Sequence, residues 1–256
     1  MTKLLVSAIA AAGMLVAPAT AATYVFKGEV ENPGVNVVAD NGVACASSGP
    51  PQDLCSSAAG VGLEYDDFGF NLTVEGFQDV TTDGSSVTGG VGAIVIQDRT
   101  PQDSGLGVFS EGDGGSDDQV QAKTGESIKF TFDGGAPFLL SNIEFNRGGD
   151  VDCSAPSNGA PSEGACGLID IFVDNVFYKT VGIADLITIN GEGDFLSVIN
   201  QAGNMFEFVA NLDSGQPSGF TIAQFTVQEV PIPGALPLLL SGIAGLGFAA
   251  RRKKAA

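Results

Sequence analysis

Carboxylates are the main chemical equipment of this chain: 30 Asp and Glu stand against 11 Lys and Arg, and the 256 residues contain neither His nor Trp. Without histidine there is no Ser-His-Asp or Cys-His nucleophile system, no imidazole metal ligand and no imidazole general base. No G-x-S-x-G, S-x-x-K or P-loop string occurs either. Two carboxylates facing each other across a cleft can hydrolyse a glycosidic bond, yet nothing in the sequence selects a pair from 30 acids. No catalytic residue is therefore assigned, and a carboxylate-based glycan-active enzyme stands only as an alternative.

Two acidic runs raise the question of a cation. Glu111-Gly112-Asp113-Gly114-Gly115-Ser116-Asp117-Asp118 is a glycine-rich loop dense in oxygen, and Gly148-Gly149-Asp150-Val151-Asp152 sets two carboxylates beside Cys153. Calcium takes six to eight such oxygens, which makes Asp113, Asp117 and Asp118 the candidate ligands and calcium the one cofactor in view. Neither run follows the EF-hand spacing, and solvated turns account for the same residues.

The four cysteines are Cys45, Cys55, Cys153 and Cys166. An even number points to disulfides where the chain is exported, as its N-terminus, read below, leads one to expect. The local pairing, Cys45 with Cys55 and Cys153 with Cys166, closes two short Ser/Pro/Gly-rich loops at small entropic cost. A zinc site is the sharper alternative, but there is no C-x-x-C, and without histidine it would need four remote thiolates.

The two ends carry an address. Lys3, an apolar stretch from Leu4 to Ala17 and Ala19-Thr20-Ala21 compose a secretory signal peptide over residues 1–21, cut between Ala21 and Ala22. At the other end Gly234 to Ala250 is uncharged, 17 residues that as a helix would span about 25 Å against a hydrocarbon core of about 30 Å. Arg251, Arg252, Lys253 and Lys254 follow at once and hold that end in the cytoplasm. Five of the 11 basic residues lie in these two ends, so residues 22 to 230 keep six against all 30 acids, a charge near −24. Such a charge disfavours nucleic acid and anionic lipid as partners.

Val230-Pro231-Ile232-Pro233, the apolar helix and the basic terminus together resemble the PEP-CTERM class of sorting signal in its VPLPA-type variant, with Ile232 where Leu is usual and Gly234 where Ala is usual. The resemblance covers residues 230–256, about a tenth of the chain. It implies export in a Gram-negative bacterium that makes extracellular polysaccharide, an inner-membrane intermediate, and processing by an exosortase-type enzyme. It says nothing of what the cargo does.

Between the ends, residues 22–229 read as one extracytoplasmic domain, long enough for a sizeable core. Strand signals dominate. In Ser127 to Phe132 the residues Ile128, Phe130 and Phe132 fall on one face, and Ser127, Lys129 and Thr131 on the other. Leu139, Ser141, Ile143 and Phe145 alternate likewise, as do Ala223, Phe225 and Val227. Leu168 to Val181 predicts a hairpin turning at Asp174-Asn175, with Phe172 facing Phe177 and Asp170 facing Lys179. With 36 Gly and few helical signals, the expected fold is all-β, an antiparallel jelly-roll-like sandwich. The stretch from Gly105 to Phe145 also resembles a pattern recurrent in PEP-CTERM cargo: a GLGV strand, an acidic loop, Asp-Gln-Val, then Gly-Glu-Ser before an alternating strand. That similarity bears on fold. The functional expectation is a non-enzymatic structural or adhesive protein of the cell envelope or polysaccharide matrix. The alternative is a calcium-dependent carbohydrate-binding module, which needs a concave face or loop rim carrying carboxylates and an exposed aromatic.

Overall fold

The computed structural model describes residues 21–27, 35–42, 54–98, 105–110, 119–121, 124–134, 136–146, 168–182, 195–199, 201–211 and 219–230. They form strands and turns with no helix: β1 (Ala21–Val25), β2 (Val35–Asn36), β3 (Leu54–Ser56), β4 (Leu63–Tyr65), β5 (Asn71–Thr82), β6 (Val87–Asp98), β7 (Gly105–Phe109), β8 (Val120–Gln121), β9 (Ser127–Asp133), β10 (Phe138–Asn146), β11 (Leu168–Val173), β12 (Val176–Gly182), β13 (Phe195–Val198), β14 (Met205–Asn211) and β15 (Gly219–Glu229).

One layer runs β12-β11-β14-β9-β5, with β4 and the first half of β6 on β5. The other is built on β15: β10 pairs along it, and β8, β7 and β1 meet it in succession. All pairings are antiparallel except β1 with β2 among the described residues. β6 links the layers, since residues Val87 to Ala93 pair with β5 while Ile94 to Asp98 pair with β7. Strands that change sheet in this way make the corners of sandwiches.

The expected periodicity has a clear energetic outcome in β9. Ile128, Phe130 and Phe132 are buried in the core, and Lys129 and Thr131 are half-exposed on the opposite face. Phe225 of β15 ties the layers together, its ring centroid 5.4 Å from Tyr24, 5.3 Å from Phe26 and 5.2 Å from Phe130.

The hairpin at Asp174-Asn175 forms as expected. Both residues have positive φ, 49° and 64°, as a two-residue primed turn requires. Phe172 pairs with Phe177, the rings edge to face at 5.6 Å. Asp170 does not face Lys179, however. A register shift between Ile171 and Phe172 passes the ladder over Tyr178, so Ile171 meets Lys179 and Asp170 meets Thr180. The alternation expected over Leu139 to Phe145 is likewise broken. Asn142 takes φ 49° at a bulge, so Phe138 and Leu140 point into the core ahead of it and Ile143 and Phe145 after it. A single extra residue reverses which parity faces inward.

The Gly-Glu-Ser step before β9 is a structural staple. Gly125 (φ 61°) passes against β5, where its carbonyl accepts from the Val80 amide and a Cβ would lie 2.7 Å from the Val80 oxygen. Buried Glu126 accepts from the Ser110 hydroxyl and from the Gln121 amide at 2.7 Å. Ser127 donates to Glu207 of β14 at 2.7 Å. Gly125→Ala should therefore cost about 1–3 kcal/mol, whereas Gly84→Ala, also at positive φ (76°) but with nothing near its Cβ, should cost only the smaller conformational part. Urea midpoints of the two variants check this, and equal losses would refute the close-approach argument.

Candidate functional site

The outward face of the first layer is unusually elaborate for a solvated sheet surface. Register aligns Phe177, Phe172, Glu207, Lys129 and Glu75 in one row across β12, β11, β14, β9 and β5. The next row is Thr180, Asp170, Val209, Ser127 and Phe77. Lys129 sits between the two glutamates: its Nζ is 2.7 Å from Glu75 Oε2 and 4.4 Å from the Phe77 ring centroid. Unlike charges opposite one another and a cation over an aromatic ring each stabilise this arrangement modestly.

A hairpin folds over these rows. Asp79 adopts φ 57° inside β5, which switches the outward positions from Phe77 to Val80 and Thr82. Val80 packs with Phe172 and Val209, with Phe77, Val87 and Phe177 against them. Thr82 then donates to Asp170 Oδ2 at 3.0 Å. Asp170 belongs to β11, and β9 and β14 lie between it and β5, so the tip crosses three strand spacings, about 14 Å, over the sheet. Asp170 is fully buried and also accepts from Thr180 at 2.6 Å and Asn211 at 2.9 Å. Thr180 and Asn211 fix the carboxylate within the sheet, and the Thr82 bond latches the hairpin to it.

Between this flap and the sheet lies an open pocket of about 200 Å³, lined by Val80, Val87 and Gly89 of the flap and by Phe77, Lys129, Asn175 and Glu207. Glu207 is 7% exposed. Burial pushes its carboxyl above the ordinary 4.5, opposed by the Ser127 hydrogen bond and Lys129 and reinforced by Glu75. A carboxyl whose folded pKa is raised takes up its proton more readily folded than unfolded. It contributes stability fully below its unfolded pKa, and that contribution is lost as pH rises from there through the folded value. Glu207→Gln should consequently be more stable than wild type at pH 7 and flatten the decline above pH 4.5. Thermal melts from pH 4 to 8 read this directly; a destabilised variant at pH 7 would contradict it.

A second charged cluster joins Asp40, Asp66 and Asp67 beside Tyr24. Asp66 donates its amide to Asp40 Oδ2 at 3.1 Å. Burial, then Asp40 and Asp66, raise the Asp67 carboxyl, while burial, Asp67 and Asp66 push the Tyr24 phenol up. Among the described residues no group of three or more His, Cys, Asp or Glu is arranged to hold a metal ion.

The calcium candidates Asp113, Asp117 and Asp118 lie outside the described residues, as do Asp150 and Asp152, the cysteines Cys45, Cys153 and Cys166, the signal peptide to residue 20 and the tail from Pro231. Cys55 is described: it is 1% exposed on β3 and disulfide-bonded. None of the pocket residues was singled out as a site from sequence. The one available clue was Lys129, a mid-strand cation in a segment that keeps only six basic residues. No protein-family model, curated protein or solved structure matches the chain.

Proposed function

We propose that this is an exported, non-enzymatic protein of a Gram-negative cell envelope or polysaccharide matrix, with a jelly-roll-like domain delivered by a PEP-CTERM-type tail and released by an exosortase-type enzyme. The observation that carries the reading is the order of features in residues 230–256: Val230-Pro231-Ile232-Pro233, a 17-residue uncharged stretch and four consecutive basic residues.

The domain is built in a way compatible with trimming at both ends. β1 pairs with the last strand, Ala21 opposite Gln228 and Ala22 opposite Val227, so the two ends of the domain leave the same end of one sheet. Cutting between Ala21 and Ala22 would remove only an exposed alanine and leave Ala22 to Val25 paired. β15 ends at Glu229, and the Val230 amide still bonds to the Pro137 carbonyl at 2.8 Å. Cleavage beyond that point would leave every described strand in place.

The test is fractionation of cells expressing the wild-type chain in a host with an exosortase and in one without. Shortened protein in the extracellular polysaccharide fraction of the first host only is the expected result. Full-length, membrane-bound protein in both hosts would defeat the reading.

A further inference from the structure

Resting on the reading of a polysaccharide-matrix protein, we propose that the pocket under the β5–β6 flap binds a single uncharged sugar ring of an extracellular glycan. Glu207 and Asn175 supply hydrogen-bond partners for ring hydroxyls, and Phe77, Val80 and Val87 the apolar wall.

The size of the site limits the ligand. About 200 Å³ is below the roughly 300–1,000 Å³ of sites that engulf drug-sized ligands, so the pocket admits one ring-sized group. Its lining is mixed in the way a sugar is mixed. The apolar side chains of Phe77, Val80 and Val87 stand with a carboxylate, an amide and an ammonium in one lining. Glu207 uses Oε1 to accept from Ser127, and its second oxygen has no hydrogen bond among the described residues.

The charges decide the class of sugar. Lys129 is committed to Glu75 at 2.7 Å and stands opposite Glu207 in register. An ammonium-bearing ligand approaching Glu207 would meet that lysine, and a uronate, sulfate or phosphate would meet two glutamates. The long-range field acts in the same direction against anions, because the whole chain carries a net charge of −19. A neutral polyol, which both donates and accepts, pays neither penalty. Burial of Glu207 strengthens the case, since a desolvated carboxylate gains from any hydroxyl that reaches it.

The experiment is isothermal titration calorimetry of the full-length protein in mild detergent, against neutral hexo-oligosaccharides and oligouronates of equal length. Neutral oligomers should bind and oligouronates should not. Glu207→Gln keeps the side-chain shape and an acceptor for Ser127, so it should fold, and should weaken binding about tenfold or more. Asn175→Gly suits the positive φ of the turn while deleting the amide, and should weaken binding severalfold. Val91→Ser, at a 58% exposed position of β6 outside the pocket, should bind like wild type. Melting temperatures confirm that each variant is folded. A wild-type protein blind to every neutral oligomer, a Glu207→Gln variant that binds unchanged, or a preference for oligouronates would overturn the proposal. Correct delivery to the matrix of a sugar-blind protein would sink this inference alone, while sugar binding by a chain that is never processed would sink the sorting proposal alone.

Discussion

Phe225→Ala should lower the stability of the β-domain by about 3–5 kcal/mol, against the roughly 5–15 kcal/mol that holds a typical domain together. Phe225 is fully buried and its ring meets Tyr24 from β1 and Phe26 just beyond it, on its own layer, and Phe130 and Phe132 from β9 on the opposite one. Truncation removes the transfer free energy of the ring and leaves a cavity between two sheets whose backbones are fixed by their ladders and cannot collapse into it. It also removes several edge-to-face and tilted ring pairs, each worth about 0.5–1.5 kcal/mol beyond buried area. For a domain of this size the melting temperature should fall by about 6–20 °C. Scanning calorimetry is the suitable probe, because the chain has no Trp to report unfolding. Val61→Ser, at a position 56% exposed, serves as the control and should change little. A loss under about 1 kcal/mol for Phe225→Ala would mean that the two layers do not meet at this ring.

What could be read from the sequence was what local chemistry determines. Ile128, Phe130 and Phe132 lie inside because period two and burial agree over that strand. Asp174 and Asn175 turn the chain because both tolerate positive φ, and the Phe172 pair with Phe177 follows from the two-residue loop. The errors share one cause. Asn142 and the residue pairing at Tyr178 each insert a register shift, which costs little locally and has no strong residue signature, yet displaces every partner beyond it. That is why Asp170 meets Thr180 instead of Lys179. The pocket was hidden for a deeper reason. Ser127 and Glu207 are 80 positions apart, and Thr82 and Asp170 are 88 apart. Their meeting depends on strand order and on a left-handed Asp79 that no glycine marks.

Two changes at the C-terminus should have opposite consequences for where the protein is found, on the hypothesis that the tail is a transient sorting signal. Pro231→Ala with Pro233→Ala leaves the uncharged stretch and the basic end intact, so orientation in the membrane is retained while the Val230-Pro231-Ile232-Pro233 motif is lost. Full-length precursor should then accumulate in the inner membrane of a host that has an exosortase. Replacing Arg251, Arg252, Lys253 and Lys254 with Gln acts on a different force. A 17-residue span is about 5 Å short of the hydrocarbon core as a straight helix, so the charges supply much of what stops it. Each cation at the centre of a bilayer costs about 2.5–3.5 kcal/mol on insertion scales, and four of them make translocation of the end prohibitive. With glutamines that barrier falls steeply, and unprocessed protein should appear outside the cell. Immunoblots of membrane and extracellular fractions distinguish the two outcomes by size and place. If the glutamine variant remained as firmly embedded and as fully processed as wild type, the basic end would not be the stop signal, and retention would have to come from the uncharged stretch alone.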